Sequence, residues 1–134
     1  MKEALEFYIN GQWVKPAVAK TLDVINPANE EVIGRISLGS AADVDKAVAA
    51  ARTAFETFSR TTREERIALL EKIIAAYGAR MGEMAETISA EMGAPMWLAN
   101  VAQAPSAMAH LMQALEILKT YEFVENKEIG RAHV

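Results

Sequence analysis

The sequence contains no cysteine. Disulfides, thiolate metal sites and thiol nucleophiles are therefore excluded from these residues, and a reducing, cytoplasmic setting is expected. Glycine is sparse, and no two glycines stand two positions apart. The dinucleotide fingerprint G-x-G-x-x-G is therefore missing, as is a phosphate loop of the Walker type. Histidine occurs only at His110 and His133. His110 has no histidine or carboxylate three or four positions away, the spacing that shares a helix face, so it reads as a surface or packing residue. No Lys/Arg run offsets the net charge of −4, which argues against a nucleic-acid partner. No apolar run approaches the roughly 20 residues of a membrane span. The opening "MKEALEFYING" lacks the apolar stretch of a secretory signal. No catalytic or cofactor-binding residue can be nominated from what is left.

What is present is a well-patterned α/β chain, 51% apolar and of a length that suits one domain. In "EFYINGQWVK", Asn10-Gly11 predicts a two-residue hairpin turn with positive φ at both positions. Counting outward, Tyr8 faces Trp13, Phe7 faces Val14, and Glu6 sits opposite Lys15 as a charge pair. Short strands follow at 21–26 and 31–37. The Asn26-Pro27 turn between them offers Asn29 for a left-handed residue.

Four helical stripes come next. Ser40 with Asp43 predicts a capped helix carrying Val44, Ala47, Val48, Ala51, Phe55 and Phe58 on one face. Thr62 with Glu65 repeats the cap ahead of Ile67, Leu70, Ile74 and Tyr77, with Leu69 and Ile73 widening that stripe. Gly78 marks a break or bend. A shorter stripe of Met81, Met84, Ile88 and Met92 ends at Gly93 and Pro95. The last runs Trp97, Val101, Ala104, Met108, Leu111, Leu115 and Leu118, with Pro105 predicting a kink or two abutting helices. The spacing of this stripe also admits a different class of protein, a small helical interaction module without catalytic activity.

Glu83, Glu86 and Glu91 lie along one helix as an acidic face. Glu91 stands near the helix C-terminus, where the macrodipole disfavours an anion and a bound cation relieves the cost.

The order of these features resembles the N-terminal part of the aldehyde dehydrogenase superfamily. "FYINGQWV" is similar to that family's opening hairpin, and "VINPANEEVIGRISLGSAADVDKAVAAARTAF" to its Asn-Pro turn, strand and first helix. "RIALLEKIIAAYGARMGEMAETISAEMGAP" is similar to its second helical pair and Gly-Lys-Pro-like signature, and "ALEILKTYEF" to its third helix. The resemblance spans about residues 6–124. It implies the N-terminal portion of an aldehyde dehydrogenase-like fold: a β-hairpin and short strands, then three to five amphipathic helices. Two positions depart from the pattern. Glu30 stands where the turn usually carries glycine, and Gly93-Ala94-Pro95 replaces Gly-Lys-Pro.

The resemblance further implies an NAD(P)-dependent parent that oxidises an aldehyde to a carboxylic acid, through a cysteine thiolate and a glutamate absent from the matched region. The segment is then expected to be inactive alone. Its partners would be the remainder of its own chain and, in the parent, an aldehyde and a homo-oligomer. Many family members bind a structural monovalent cation with an acidic residue before the Gly-Lys-Pro-like motif and a carbonyl before Asn-Pro. Here those positions are Glu91 and Ile25.

The closing "NKEIGRAHV", residues 126–134, has no apolar period. "IGRAHV" back-translates as ATC GGA AGA GCA CAC GTC, the common short-read sequencing adapter in one frame. The preceding AG completes a codon for Glu128, and the next adapter triplet, TGA, is a stop. Residues 1–125 are thus expected to be the domain segment and 126–134 a non-native tail from adapter read-through.

Overall fold

The computed structural model describes residues 2–127 and Gly130. His133 and all of the adapter-like segment 128–134 except Gly130 lie outside the described residues. The strands are β1 (Lys2–Ala4), β2 (Phe7–Ile9), β3 (Gln12–Val14), β4 (Thr21–Ile25) and β5 (Val32–Ser37). The helices are α1 (Ala41–Phe58), α2 (Arg63–Ala79), α3 (Met81–Met92), the single turn α4 (Met96–Leu98) and α5 (Ala104–Thr120). A π-helical turn, Ala99–Gln103, joins α4 to α5.

β2 and β3 form the hairpin with the expected register, Phe7 opposite Val14 and Tyr8 opposite Trp13. Asn10 and Gly11 take φ of 53° and 76°, which matches the twist of the flanking strands. The Tyr8 and Trp13 rings meet at 5.2 Å. The Glu6–Lys15 pair does not form: the ladder stops at Phe7, and among the described residues no ion pair includes either side chain.

The second sheet has the order β1-β5-β4, with β1 parallel and β4 antiparallel to β5. β1 has no sequence signature, because Lys2-Glu3-Ala4 lacks apolar alternation. It is held by backbone pairing to Gly34, where a Cβ would stand 3.0 Å from the Lys2 carbonyl oxygen. In the turn between β4 and β5, the left-handed residue is Glu30, at φ 61°, and not Asn29. Asn29 is occupied otherwise: its Oδ1 accepts from the Glu31 N–H and its Nδ2 donates to Glu31 Oε2.

Both helix caps form. Asp43 Oδ2 accepts from the backbone N–H and the hydroxyl of Ser40, at 2.9 and 2.7 Å. Thr62 and Glu65 bond reciprocally across the start of α2. α2 includes Gly78 and ends at Ala79, and the break before α3 falls at Arg80, two residues beyond that glycine. Gly78 makes room for a neighbour, since a Cβ there would meet Met108 Cε at 3.1 Å.

Among the described residues the fully buried apolar ones are three alanines, Ala85, Ala99 and Ala104, where α3, the π-turn and α5 converge, with Met81 and Ile88 packed against them. Small side chains let these helices approach closely. Ala85 therefore leads the inward face of α3, while Met84 and Met92 face out. The stripe of the last helix is likewise divided. Ala104, Met108, Leu111, Leu115 and Leu118 turn inward, whereas Trp97 is 68% exposed and Val101 is exposed beside it. Pro105 accounts for the division: it cannot donate a helical hydrogen bond, and the backbone widens into the π-turn just before it.

Candidate functional site

Of the two nominated positions, Ile25 on β4 and Glu91 on α3, Glu91 lines the groove between the sheet and that helix and Ile25 does not. Ile25 ends β4 at a β-bulge. Val24 pairs with Gly34 and Ile25 with Val32, so Ile33 is the extra residue. A bulge disrupts the ladder locally and re-aims the strand. Glu91 lies in the last turn of α3. That helix stops at Gly93, whose φ of 70° suits glycine. The Asn26-Pro27 turn sits directly on this stop, since a Cβ on Gly93 would stand 3.0 Å from Pro27 Cγ. Ser89 Oγ closes the helix end by donating to the Ala94 carbonyl at 2.7 Å.

An open groove of about 390 Å³ runs between the sheet and α3, and both Val24 and Ile33 of the bulge share its wall with Glu86 and Glu91. Arg35, on the same wall, is ion-paired to Asp23 at 2.8 Å. The hydrogen bond from Arg35 to Asp23, followed by the charge of that carboxylate, raises the arginine pKa. Glu91 is exposed, and among the described residues no three His, Asp or Glu side chains gather as a metal cluster. What the groove offers a ligand is therefore one or two carboxylates beside disrupted strand backbone at a helix C-terminus. These are hard oxygen donors, and Lys2 and Arg35 line the same groove.

The acidic face of α3 is divided in the same way. Glu83 pairs outward with Arg80 at 2.8 Å, and the hydrogen bond from Arg80 holds the Glu83 carboxyl below its ordinary range. His110 is exposed on α5, away from any such cluster. A wider groove of about 670 Å³, between β1 and the hairpin, is lined by Glu3, Glu6, Trp13 and Lys15, among others. It assembles no acid–base pair, because Glu6 and Lys15 do not meet.

The most organised carboxylate is one whose sequence pattern announced only a cap. Asp43 is 5% exposed, and its Oδ1 also accepts from the Ala17 N–H at 2.8 Å. The side-chain hydrogen bond from Ser40 lowers its pKa, with the backbone N–H groups of Ser40 and Ala17 adding to the effect. It joins the chain leaving the hairpin to the start of α1. No sequence signal marks that bond, since Ala17 lies 26 positions away.

Against known proteins, the aldehyde dehydrogenase family model matches residues 13–132, reaching into the closing segment. The chain is 46% identical over 127 residues to a 3-succinoylsemialdehyde-pyridine dehydrogenase of a Pseudomonas species, covering 94% of this chain and 27% of that protein. The fold is similar to a Bartonella henselae aldehyde dehydrogenase at a TM-score of 0.93 and 41% identity, covering 98% of this chain and 28% of that one. It is also similar to a Pseudomonas syringae aldehyde dehydrogenase C variant complexed with NAD+ and octanal, at a TM-score of 0.88 and 44% identity, covering 92% of this chain and 26% of that one. The chain thus spans about a quarter of the length of the relatives it matches.

Proposed function

Because the chain belongs to the aldehyde dehydrogenase family, we propose that it is the N-terminal part of a longer NAD(P)-dependent enzyme that oxidises an aldehyde to a carboxylic acid. The observation that carries this reading is a TM-score of 0.93 across 98% of the chain against one enzyme of that family. In the complete enzyme the nicotinamide cofactor supplies the hydride acceptor. The nucleophile is a thiolate, strongly reactive near neutral pH. These 134 residues contain no cysteine, so the thiol must come from elsewhere in the polypeptide. This segment contributes scaffold: its hairpin, small sheet and helices form one wall on which the rest of the enzyme is laid.

The one ligand role we assign to it is support of a monovalent cation, held by the Glu91 carboxylate and the Ile25 carbonyl. The donors suit the ion. Both are oxygens, the bulge loosens the ladder at Ile25, and the C-terminal end of α3 favours positive charge. If so, potassium raises the melting temperature of the intact gene product, and Glu91→Gln removes that dependence while leaving the fold in place.

The experiment for the main reading begins with the source DNA. The expected frame continues into a region encoding a cysteine, and the intact gene product reduces NAD+ or NADP+ in the presence of aldehydes. An intact product that forms no NAD(P)H with any of a broad aldehyde panel defeats the proposal.

A further inference from the structure

Two arginines in the opening turn of α2 stand where their own helix disfavours them. Arg63 and Arg66 follow the Thr62 cap, at the positive end of the macrodipole. Each is engaged elsewhere, and in the same way. Arg63 Nη1 donates to the Lys119 carbonyl at 3.2 Å, its Nη2 donates to the Tyr121 carbonyl, and its guanidinium lies 5.6 Å from the centroid of the Phe123 ring. Arg66 Nε donates to Thr61 Oγ1 at 2.8 Å, and its Nη2 reaches the Phe58 and Ser59 carbonyls at 3.4 Å. Its guanidinium lies 5.6 Å from the centroid of the Phe58 ring.

We propose that Arg63 and Arg66 are positioning residues forming a two-armed clamp, by which the start of α2 fixes the C-terminal ends of α5 and α1 and sets the course of the chain leaving α5. The last carbonyls of a helix have no intrahelical donor and carry the negative end of its dipole, so a cation there satisfies both. α1 has no basic residue of its own in its last turn, and Arg66 supplies one from the next helix. In α5 the last-turn Lys119 is paired to Glu116 at 2.6 Å, which leaves its terminal carbonyls to Arg63. Beyond them, the Tyr121 and Phe123 rings meet edge to face at 5.0 Å, and Arg63 packs against the outer one. Only a planar guanidinium bonds two carbonyls while stacking on a ring. Lysine keeps the charge and loses the fork.

This clamp is independent of the enzymatic reading, and its test needs no activity. Amide hydrogen exchange is measured on the intact gene product, whatever its length, for the wild type, Arg63→Lys and Arg66→Lys. The Tyr121 N–H, bonded to the Ile117 carbonyl, reports the end of α5, and the Arg60 and Thr61 N–H groups, bonded to Thr57 and Phe58, report the end of α1. Arg63→Lys should speed exchange at Tyr121 by about three- to tenfold and leave Arg60 and Thr61 unchanged, and Arg66→Lys should do the reverse. Equal acceleration at both ends in either variant, or none at either, overturns the clamp.

Discussion

At the scale of single residues, Glu30 and Asp43 show how far a sequence pattern carries. The Asn-Pro turn is legible, and its composition points to Asn29 as the left-handed position, because asparagine tolerates that region best among residues with side chains. The turn instead spends Asn29 on two bonds to Glu31 and places Glu30 at φ 61°, the position where the family pattern carries glycine. A left-handed residue with a Cβ costs about 1–2 kcal/mol, partly offset by the extra freedom glycine brings to the unfolded chain. Glu30→Gly is therefore expected to stabilise the intact gene product by up to about 1 kcal/mol, checked by denaturant unfolding. Asp43 makes a pH-dependent contribution. Its folded pKa lies below its unfolded one, so the stabilisation is present above the ordinary carboxylate range and is lost as pH falls through the depressed value. Asp43→Asn should lower the melting temperature at neutral pH and flatten its fall in acid. It should also speed exchange at the Ala17 amide, which exposed Asp45→Asn leaves unchanged.

Among the elements, legibility followed side-chain chemistry. The hairpin register, both helix starts and the stop at Gly93 rest on local rules, and each was readable from two or three residues. Packing partners were not. In the buried centre Ala104 falls on the apolar stripe of the last helix, but Ala85 and Ala99 carry no signal, because alanine suits either face of a helix. The outward turn of Trp97 and Val101 follows from the π-turn, which shifts the helical phase ahead of Pro105. That junction has one specific tie to α2: the Tyr77 hydroxyl donates to the Ala104 carbonyl at 2.8 Å. Tyr77→Phe keeps the ring and removes the bond, so a loss of about 0.5–1.5 kcal/mol is expected on denaturant unfolding. For the candidate cation site the sequence nominates Glu91 and Ile25 but gives no sign of the bulge at Ile25, because a register shift depends on the partner strand.

For the whole molecule, the notable fact is what lies uncovered. Among the described residues no large side chain is fully buried, and the stripe of α1 stands open at Val44, Val48, Phe55 and Phe58, with Phe55 62% exposed. Each large apolar side chain left in water forfeits about 1.5–3 kcal/mol, so four amount to about 6–12 kcal/mol, against a whole-domain stability of about 5–15 kcal/mol. The 134-residue chain produced alone is therefore expected to melt broadly or to aggregate, and calorimetry of a monomer giving one sharp transition would argue otherwise. The decisive measurement is NADH formation by the purified 134-residue chain supplied with NAD+ and a panel of aldehydes, beside the intact gene product. The expected result is turnover by the intact product and none by the chain alone, because these residues contain no thiol. Steady NADH formation by the homogeneous chain itself would contradict it.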